Sequence, residues 1–521
     1  MFNKQIPINQ NFLILILVIF SLAVNQFYGN RGAFPIESFA FFDTAYRILQ
    51  GETPFKDYWA VSGVFLDYTQ YVFFKIFGIH FQVYVFHASL VNCILTLMTY
   101  FFARNLNIDI LNSFIYALVF SLLAYTTSGT LYVDNHASLI CLAAIYVFIF
   151  GINNKQRKYF FLIPFLVGFA FFTKPAPTVY IFVLLSIILL IYIFLQKKIA
   201  FLLTLLFSSI LFLFLTFLFF FFQDVSLKLI LDQYFYFPVT IADQRYKDFT
   251  LSFDNIFFNF KFIYFFLIPL AFLNIKKIFS HNNYFFQNDF YIFLSILGLS
   301  ICLMFHQLNT KNQLFILFLI PVICITLHSQ LLKFDFKKKN ILIIFLVIAS
   351  ILFTYKYHIR YNENRKFHEM EGVNFNSAVN AKLIDKKLSG LKWITPSYKV
   401  SPNSEVKLIK ETLKILKLDE SKKMLITNYS FFSVVLGESS NSPSRWFISN
   451  GGAYPVRGNE YFKIYESYIN NMIKEKKIES VFVIYPVKDE ELLRYVNIKC
   501  FEKKILNKIT SVYKVIPECL L

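Results

Sequence analysis

The chain has 521 residues, of which 57% are hydrophobic, 20% aromatic and 16% charged, and its formal net charge is +19. Repeated apolar runs of about 18 or more residues exclude an ordinary soluble domain and read as transmembrane helices. The basic excess does not argue for nucleic acid, because in a membrane protein lysine and arginine mark cytoplasmic loops.

In chain order the apolar runs predict about eleven spans, near Asn11–Phe27, Val83–Ala103, Ile108–Ala124, His136–Phe150, Tyr159–Thr173, Thr178–Leu195, Phe201–Phe222, Phe257–Leu273, Tyr291–Phe305, Leu314–His328 and Ile341–Tyr355. The first run is not followed by a small-residue cleavage site, so it is expected to be a retained helix. The domains predicted are a transmembrane domain, 1–356, with outer loop helices at 29–82 and 223–256, and a soluble domain, 357–521.

The connecting loops alternate in charge. One set is short and basic: Arg104, Asn153–Lys158, Gln196–Lys198, Asn274–Lys277 and Lys333–Lys339. The other is longer and holds Asp134, Asp224, Asp232, Asp243 and Asp248. Basic loops stay inside. The N-terminus is therefore expected in the cytoplasm, and the loop Tyr28–Gln82 and the C-terminal domain outside, as in a multi-pass membrane protein.

Within that first outer loop, Phe41, Phe42, Ala45, Ile48 and Leu49 fall on one side of a predicted helix and Asp43, Arg47 and Gln50 on the other, with Gly51 as its stop. The Asp43–Arg47 spacing also fits an ion pair on a solvated helix face. Glu37 reads equally as a helix N-cap, Asp57 as a turn or cap residue, and Glu52 as a solvated turn residue. A second amphipathic helix, Val64–Gly78, is expected to lie along the membrane surface, and 223–255 repeats the style.

Further along, Asp134, Asn135 and His136 open the fourth span at its outer end, where Asp or Asn is a good N-cap. Lys174 ends the fifth span; a span-end lysine snorkels, yet the outer loops are poor in lysine. His306, Gln307 and Lys311 cluster at another outer end, where they either contact a substrate or anchor the ninth and tenth spans. Arg245 is a weaker candidate. Asp134 and His136 leave a divalent cation open, but two ligands without a spacing pattern do not define a metal site. No other cofactor motif, P-loop, Rossmann fingerprint or nucleophile elbow is present.

The segment AYRILQGETPFKDYW (Ala45–Trp59) resembles the stretch after the first span of bacterial GT-C glycosyltransferases, nearest the dolichyl-phosphate-mannose protein mannosyltransferase and lipid A aminoarabinose transferase type. GFAFFTKPAP (Gly168–Pro177) is similar to that group's apolar-Thr-Lys-Pro segment. Where many relatives open the loop helix with an Asp-Glu pair, this chain has Glu37-Ser38-Phe39, which leaves the catalytic role open among Glu37, Asp43 and Asp57. The resemblance implies an α-helical multi-spanning GT-C-like fold and an inverting hexosyl- or pentosyltransferase of cell-envelope glycan biosynthesis. Its donor is a polyprenyl-phosphate sugar and its acceptor a glycan, lipid or protein. A carboxylate takes the acceptor hydroxyl's proton and a fixed cation steadies the leaving phosphate. In that scheme Asp43, Asp57 or Glu37 is catalytic, and Lys174, Asp134, His136, His306 and Lys311 bind substrate.

The C-terminal third alternates helix and strand: a helix at Ser404–Asp419, a strand at Lys423–Asn428, a helix at Asn459–Ile478, a strand at Ser480–Pro486 and two strands between Cys500 and Cys519. This reads as a small α/β domain, and the two cysteines are candidates for a disulfide. The loop Arg445–Pro455 reads as a packing element or as an aromatic platform for an acceptor glycan. Two alternatives compete with the transferase: a transporter or flippase of lipid-linked glycans, which would need charge inside the spans, and a glycan polymerase or ligase.

Overall fold

The computed structural model describes residues 9–247, 252–280, 283–310, 315–334, 337–448 and 450–519. The chain divides into two compact units, each assembled from three separated stretches. The first takes 1–28, 88–217 and 249–367; the second takes 29–87, 218–248 and 368–521.

Each of the eleven predicted apolar segments overlaps a helix among the described residues. Among the described residues, eight helices are long and apolar enough to cross a membrane: Gln10–Gly29, Phe81–Asn105, Val133–Asn154, Pro175–Leu195, Ile199–Phe222, Lys261–Ser280, Asn288–Asn309 and Lys339–His368. Three more are shorter, Ile110–Leu123, Arg157–Thr173 and Leu319–Leu332. A chain that closes its backbone hydrogen bonds within many apolar helices is built as a multi-span membrane protein.

In the first unit, Val133–Asn154 is the central helix, with 94% of its apolar window buried against 11% for Ile199–Phe222. It packs on Arg157–Thr173, Pro175–Leu195 and Asn288–Asn309. Just before it, 124–132 is buried but not regular helix. Irregular backbone at such depth needs internal donors. Arg365 supplies them to the carbonyls of Thr126 (3.2 Å), Thr127 (3.4 Å) and Ser128 (3.2 Å). Asn25 donates to Gly129 (3.3 Å) and Asn135 to Ala124 (3.1 Å). These bonds fix the approach to Asp134.

The second unit is centred on a four-stranded sheet in the order Lys423–Ile426, Ser480–Ile484, Thr510–Val515, Phe501–Asn507. The first pair is parallel and the others antiparallel, with Leu425 opposite Phe482 and Val483 opposite Ser511. The parallel pair is crossed over by a connection that includes helix Phe462–Glu475, whose Ile469, Met472 and Ile473 bury against Met424, Ile426, Val481 and Val483. Trp59 and Phe237 belong to the same core. The loop helices at 29–82 and 223–256 are thus largely built into one unit with the α/β sheet, because their apolar faces find core partners hundreds of residues away. Cys500 and Cys519 form a disulfide that ties the two ends of the hairpin, 19 residues apart in sequence.

Helix Ala40–Leu49 departs from the two-sided reading. Asp43 and Arg47 are as buried as Phe41 and Phe42, so the helix has no solvated face there. Gly51, at φ +90°, terminates it as expected. Glu37 lies inside the short helix Pro35–Ser38 and is not its cap: Phe34 takes that place, because Pro35 is suited to the first helical position.

Candidate active site

Two clusters of ionisable groups stand out, one in each unit. In the first unit, Asp134, Lys174 and His306 come together. Tyr132 is the N-cap of the central helix, so Asp134 in the first turn is released from capping. Its carboxylate accepts from Lys174 Nζ at 2.5 Å and from His306 Nε2 at 2.7 Å. Lys174 occupies the break between Arg157–Thr173 and Pro175–Leu195, with extended φ/ψ of −157° and 123°. The residue before a proline is held out of the helical region, and the Thr-Lys-Pro order therefore turns the lysine out of its helix toward Asp134. Asp134 and His306 are buried and Lys174 is 19% exposed.

By accepting from Nε2, Asp134 fixes the imidazole's tautomer and orientation. His136 points elsewhere: its Nδ1 meets the Tyr125 hydroxyl at 2.9 Å. Asn135 caps Ala124 and Ser128. Ser138, one turn beyond Asp134, and the Gln307 amide nitrogen are buried with no hydrogen-bond partner among the described residues. Lys311 lies outside the described residues.

In the second unit, Asp43 accepts from the Ser433 hydroxyl and from Ser440 Oγ at 3.4 Å, with Arg47 Nη1 at 3.9 Å. Leu425, Thr427, Ser430, Phe432 and Ser442 complete the cavity wall. Its free volume is about 10 Å³, the room of a single water. Burial pushes the Asp43 carboxyl up to about 6, against the pull of Arg47 and the two serines. The group is therefore mostly ionised at neutral pH and still a usable proton acceptor.

Arg47 also binds Glu52 at 2.5 Å and the Asp57 carbonyl at 3.0 Å. Glu52 is not the solvated turn residue expected from its context. It is 9% exposed and holds Arg47, Lys476 at 3.2 Å and the Ser439 hydroxyl. Burial raises its carboxyl, but Arg47, Lys476 and Ser439 outweigh burial and bring it below the ordinary value. Asp57 closes the turn by accepting the Thr53 N–H at 2.8 Å and pairs with Lys476 at 3.1 Å. Of the three candidate acids, Asp43 lines this cavity. Glu37 is half-buried in its short helix, and Arg245 lies beside Gly452.

Sequence reasoning missed Ser433 and Ser440, which carry no motif of their own, and the buried pair Asp67–Arg445. The latter did leave a trace. Asp67, Gln70 and Phe74 repeat at helical spacing on the buried face of Val64–Phe77, so a carboxylate on that face demanded a cation. The Arg445–Pro455 loop is a packing element: Phe447, Ala453 and Tyr454 join the core of the unit. No group of three or more His, Cys, Asp or Glu side chains suited to a metal occurs among the described residues. Compared with family models and with curated proteins, the chain matches none.

Proposed function

We propose that the protein is an integral membrane glycosyltransferase that moves a sugar from a polyprenyl-phosphate donor to a hydroxyl acceptor on the extracytoplasmic side of a bacterial inner membrane. The observation that carries this reading is Asp43, a buried carboxylate raised to about 6 whose oxygens already accept from serine hydroxyls. The cavity as it stands has room for one water, so the segment carrying Ser433 has to move aside. An acceptor hydroxyl then takes the place of Ser433 Oγ, passes its proton to Asp43, and its oxygen attacks the anomeric carbon as the carbon–phosphate oxygen bond breaks. The products are an inverted glycoside and the polyprenyl phosphate. Separately, within the first unit, the Thr-Lys-Pro resemblance makes Lys174 the candidate phosphate contact; its ammonium is held by Asp134, which His306 in turn steadies. The disulfide and the charge alternation of the loops both support an outside location for the second unit.

The direct test supplies the purified chain with a panel of polyprenyl-phosphate sugars and a mixed glycan and lipid acceptor pool. Consumption of one donor with release of polyprenyl phosphate is expected; no consumption of any member sinks the reading. Eleven spans with the N-terminus inside make a separate prediction. Single cysteines near Glu52 and Asn459 should react with an impermeant thiol reagent from outside, and those near Lys155 and Lys338 only after permeabilisation. Labelling of the Glu52 and Lys155 positions from the same side overturns the topology.

A second reading is translocation of a lipid-linked glycan. The linkage of Asp134, Lys174 and His306 is the observation that bears on it, although all three sit at helix ends, whereas translocation paths and proton relays place ionisable groups within the spans. Movement of a labelled lipid-linked glycan across liposomes without loss of its sugar would select it over transfer.

A further inference from the structure

In the first unit three helix ends come together at one end of the bundle and carry lysine. Helix Lys261–Ser280 has Lys276 and Lys277 in its last turns, Leu319–Leu332 runs into Lys333, and Lys339–Tyr357 starts after Lys337 and Lys338. The first and third run antiparallel, with Phe262 on Phe353 at 4.2 Å and Phe265 on Phe345 at 6.1 Å between ring centroids. Lys277 bridges to the second by donating to Gln330.

The balance of charge at this end is one-sided. The stretches 274–290 and 328–345 hold Lys276, Lys277, Lys333, Lys337, Lys338 and Lys339 against Asp289 and Asp335 in the sequence. Asp289 is taken by Lys333 at 2.5 Å, and Asp335 lies outside the described residues. Lys277 is half-buried, hydrogen-bonded to a neutral amide, with its ammonium 5.1 Å from the Phe334 ring centroid and 5.7 Å from that of Tyr284. Lys276, Lys337 and Lys338 are exposed. The helices that carry these lysines also present exposed apolar side chains: Phe272, Ile275 and Phe279 on one, Ile341, Ile344 and Phe345 on the other.

We propose that this end of the first unit binds an anionic phospholipid of the bilayer. The phosphate sits among Lys276, Lys277 and Lys338, and the acyl chains lie along the exposed Phe272, Ile275, Ile341 and Phe345. Ammonium groups suit phosphate as point charges. Basic pockets between spans recognise acidic headgroups, and each lysine near the surface contributes about a fivefold preference. The apolar stripes commit the site to a lipid rather than to free phosphate. The inference does not depend on the transferase reading.

The test uses the full chain in detergent, titrated with equimolar phosphatidylglycerol and phosphatidylcholine, with bound lipid counted by native mass spectrometry. The wild type should retain phosphatidylglycerol roughly tenfold or more over phosphatidylcholine. K276Q/K277Q/K338Q should bring that ratio to within about threefold of parity. K407Q/K410Q/K414Q removes the same charge from an exposed helix face of the second unit and should leave it unchanged. Thermal unfolding in phosphatidylcholine micelles checks that the first variant is folded, and K338Q alone, at an exposed position, serves if it is not. Glycerol 3-phosphate at millimolar concentration should not displace the lipid. A wild type without preference, a lysine variant that keeps it, a control that loses it equally, or displacement by glycerol 3-phosphate overturns the proposal.

Discussion

Asp43→Asn should abolish transfer by about a hundredfold or more in turnover while leaving donor binding intact. General base catalysis contributes typically 10²–10⁴-fold, and asparagine keeps the shape but cannot take the proton. The wild type should show a matching pH profile: turnover rises with pH through about 6 and levels off near neutrality, because the carboxyl is held up to about 6 by burial. The stability readout goes the other way. An ordinary Asp has a value of 3.8, so between about 4 and 6 the native state binds the proton more tightly than the unfolded chain. Stability therefore falls as pH rises through that window. Asparagine removes this term, so the variant should lose activity without losing stability at pH 7. A merely structural Asp43, valued for its bonds to Ser433 and Ser440, predicts the reverse: a less stable protein with near-normal turnover once folded. Near-normal turnover in D43N transfers the base role to another carboxylate.

The elements that local pattern determines were legible. Apolar runs of span length found the helices of the first unit, and alternation of strand and helix found all four strands of the main sheet, since both signals live within some twenty residues. Polar residues at the ends of apolar runs flagged Asp134, Lys174 and His306, which the fold does bring together, although 40 and 172 residues separate Asp134 from its partners. Burial from distant chain was not legible. Asp43 and Arg47 at i, i+4 look like a solvated pair until the segment holding Ser433, 390 residues later, covers them. Glu52 in a Gly-Glu-Thr-Pro turn reads as exposed for the same reason, and its cover comes from Ser439 and Lys476. The separate loop-helix and C-terminal boundaries reflect this too. Periodicity reports that a face is apolar, not which element will cover it.

Arg445→Ala should destabilise the second unit more than any single truncation of an exposed charge there, by roughly 3–5 kcal/mol. Arg445 is 2% and Asp67 0% exposed at the side chain. The guanidinium reaches both the Asp67 carboxylate and the Ser62 carbonyl, and stacks 4.7 Å from the Phe41 centroid and 5.2 Å from that of Trp446. Asp67 in turn accepts from Thr44 and from Tyr58 at 3.0 Å. Removing the arginine leaves a charge buried with only two hydroxyl donors, and breaking a buried pair from one side costs about that much. Gly63 packs so closely that an added Cβ would lie 2.5 Å from Phe41 and 2.8 Å from Arg445, so a side chain at this position would collide with the pair's surroundings. Arg445→Lys should recover little, because one ammonium cannot reproduce a fork that meets carboxylate and carbonyl together while lying flat on aromatic rings. Asp67→Asn should cost less than Arg445→Ala, since it leaves a cation that still has Ser62 and its rings. The double variant Asp67→Leu/Arg445→Met should be more stable than the sum of the two single losses predicts, because no uncompensated charge remains. Denaturation midpoints of the four proteins in one detergent decide it: equal, small losses in Arg445→Ala and Arg445→Lys would mean that the pair is not what fixes the aromatic loop to helix Val64–Phe77.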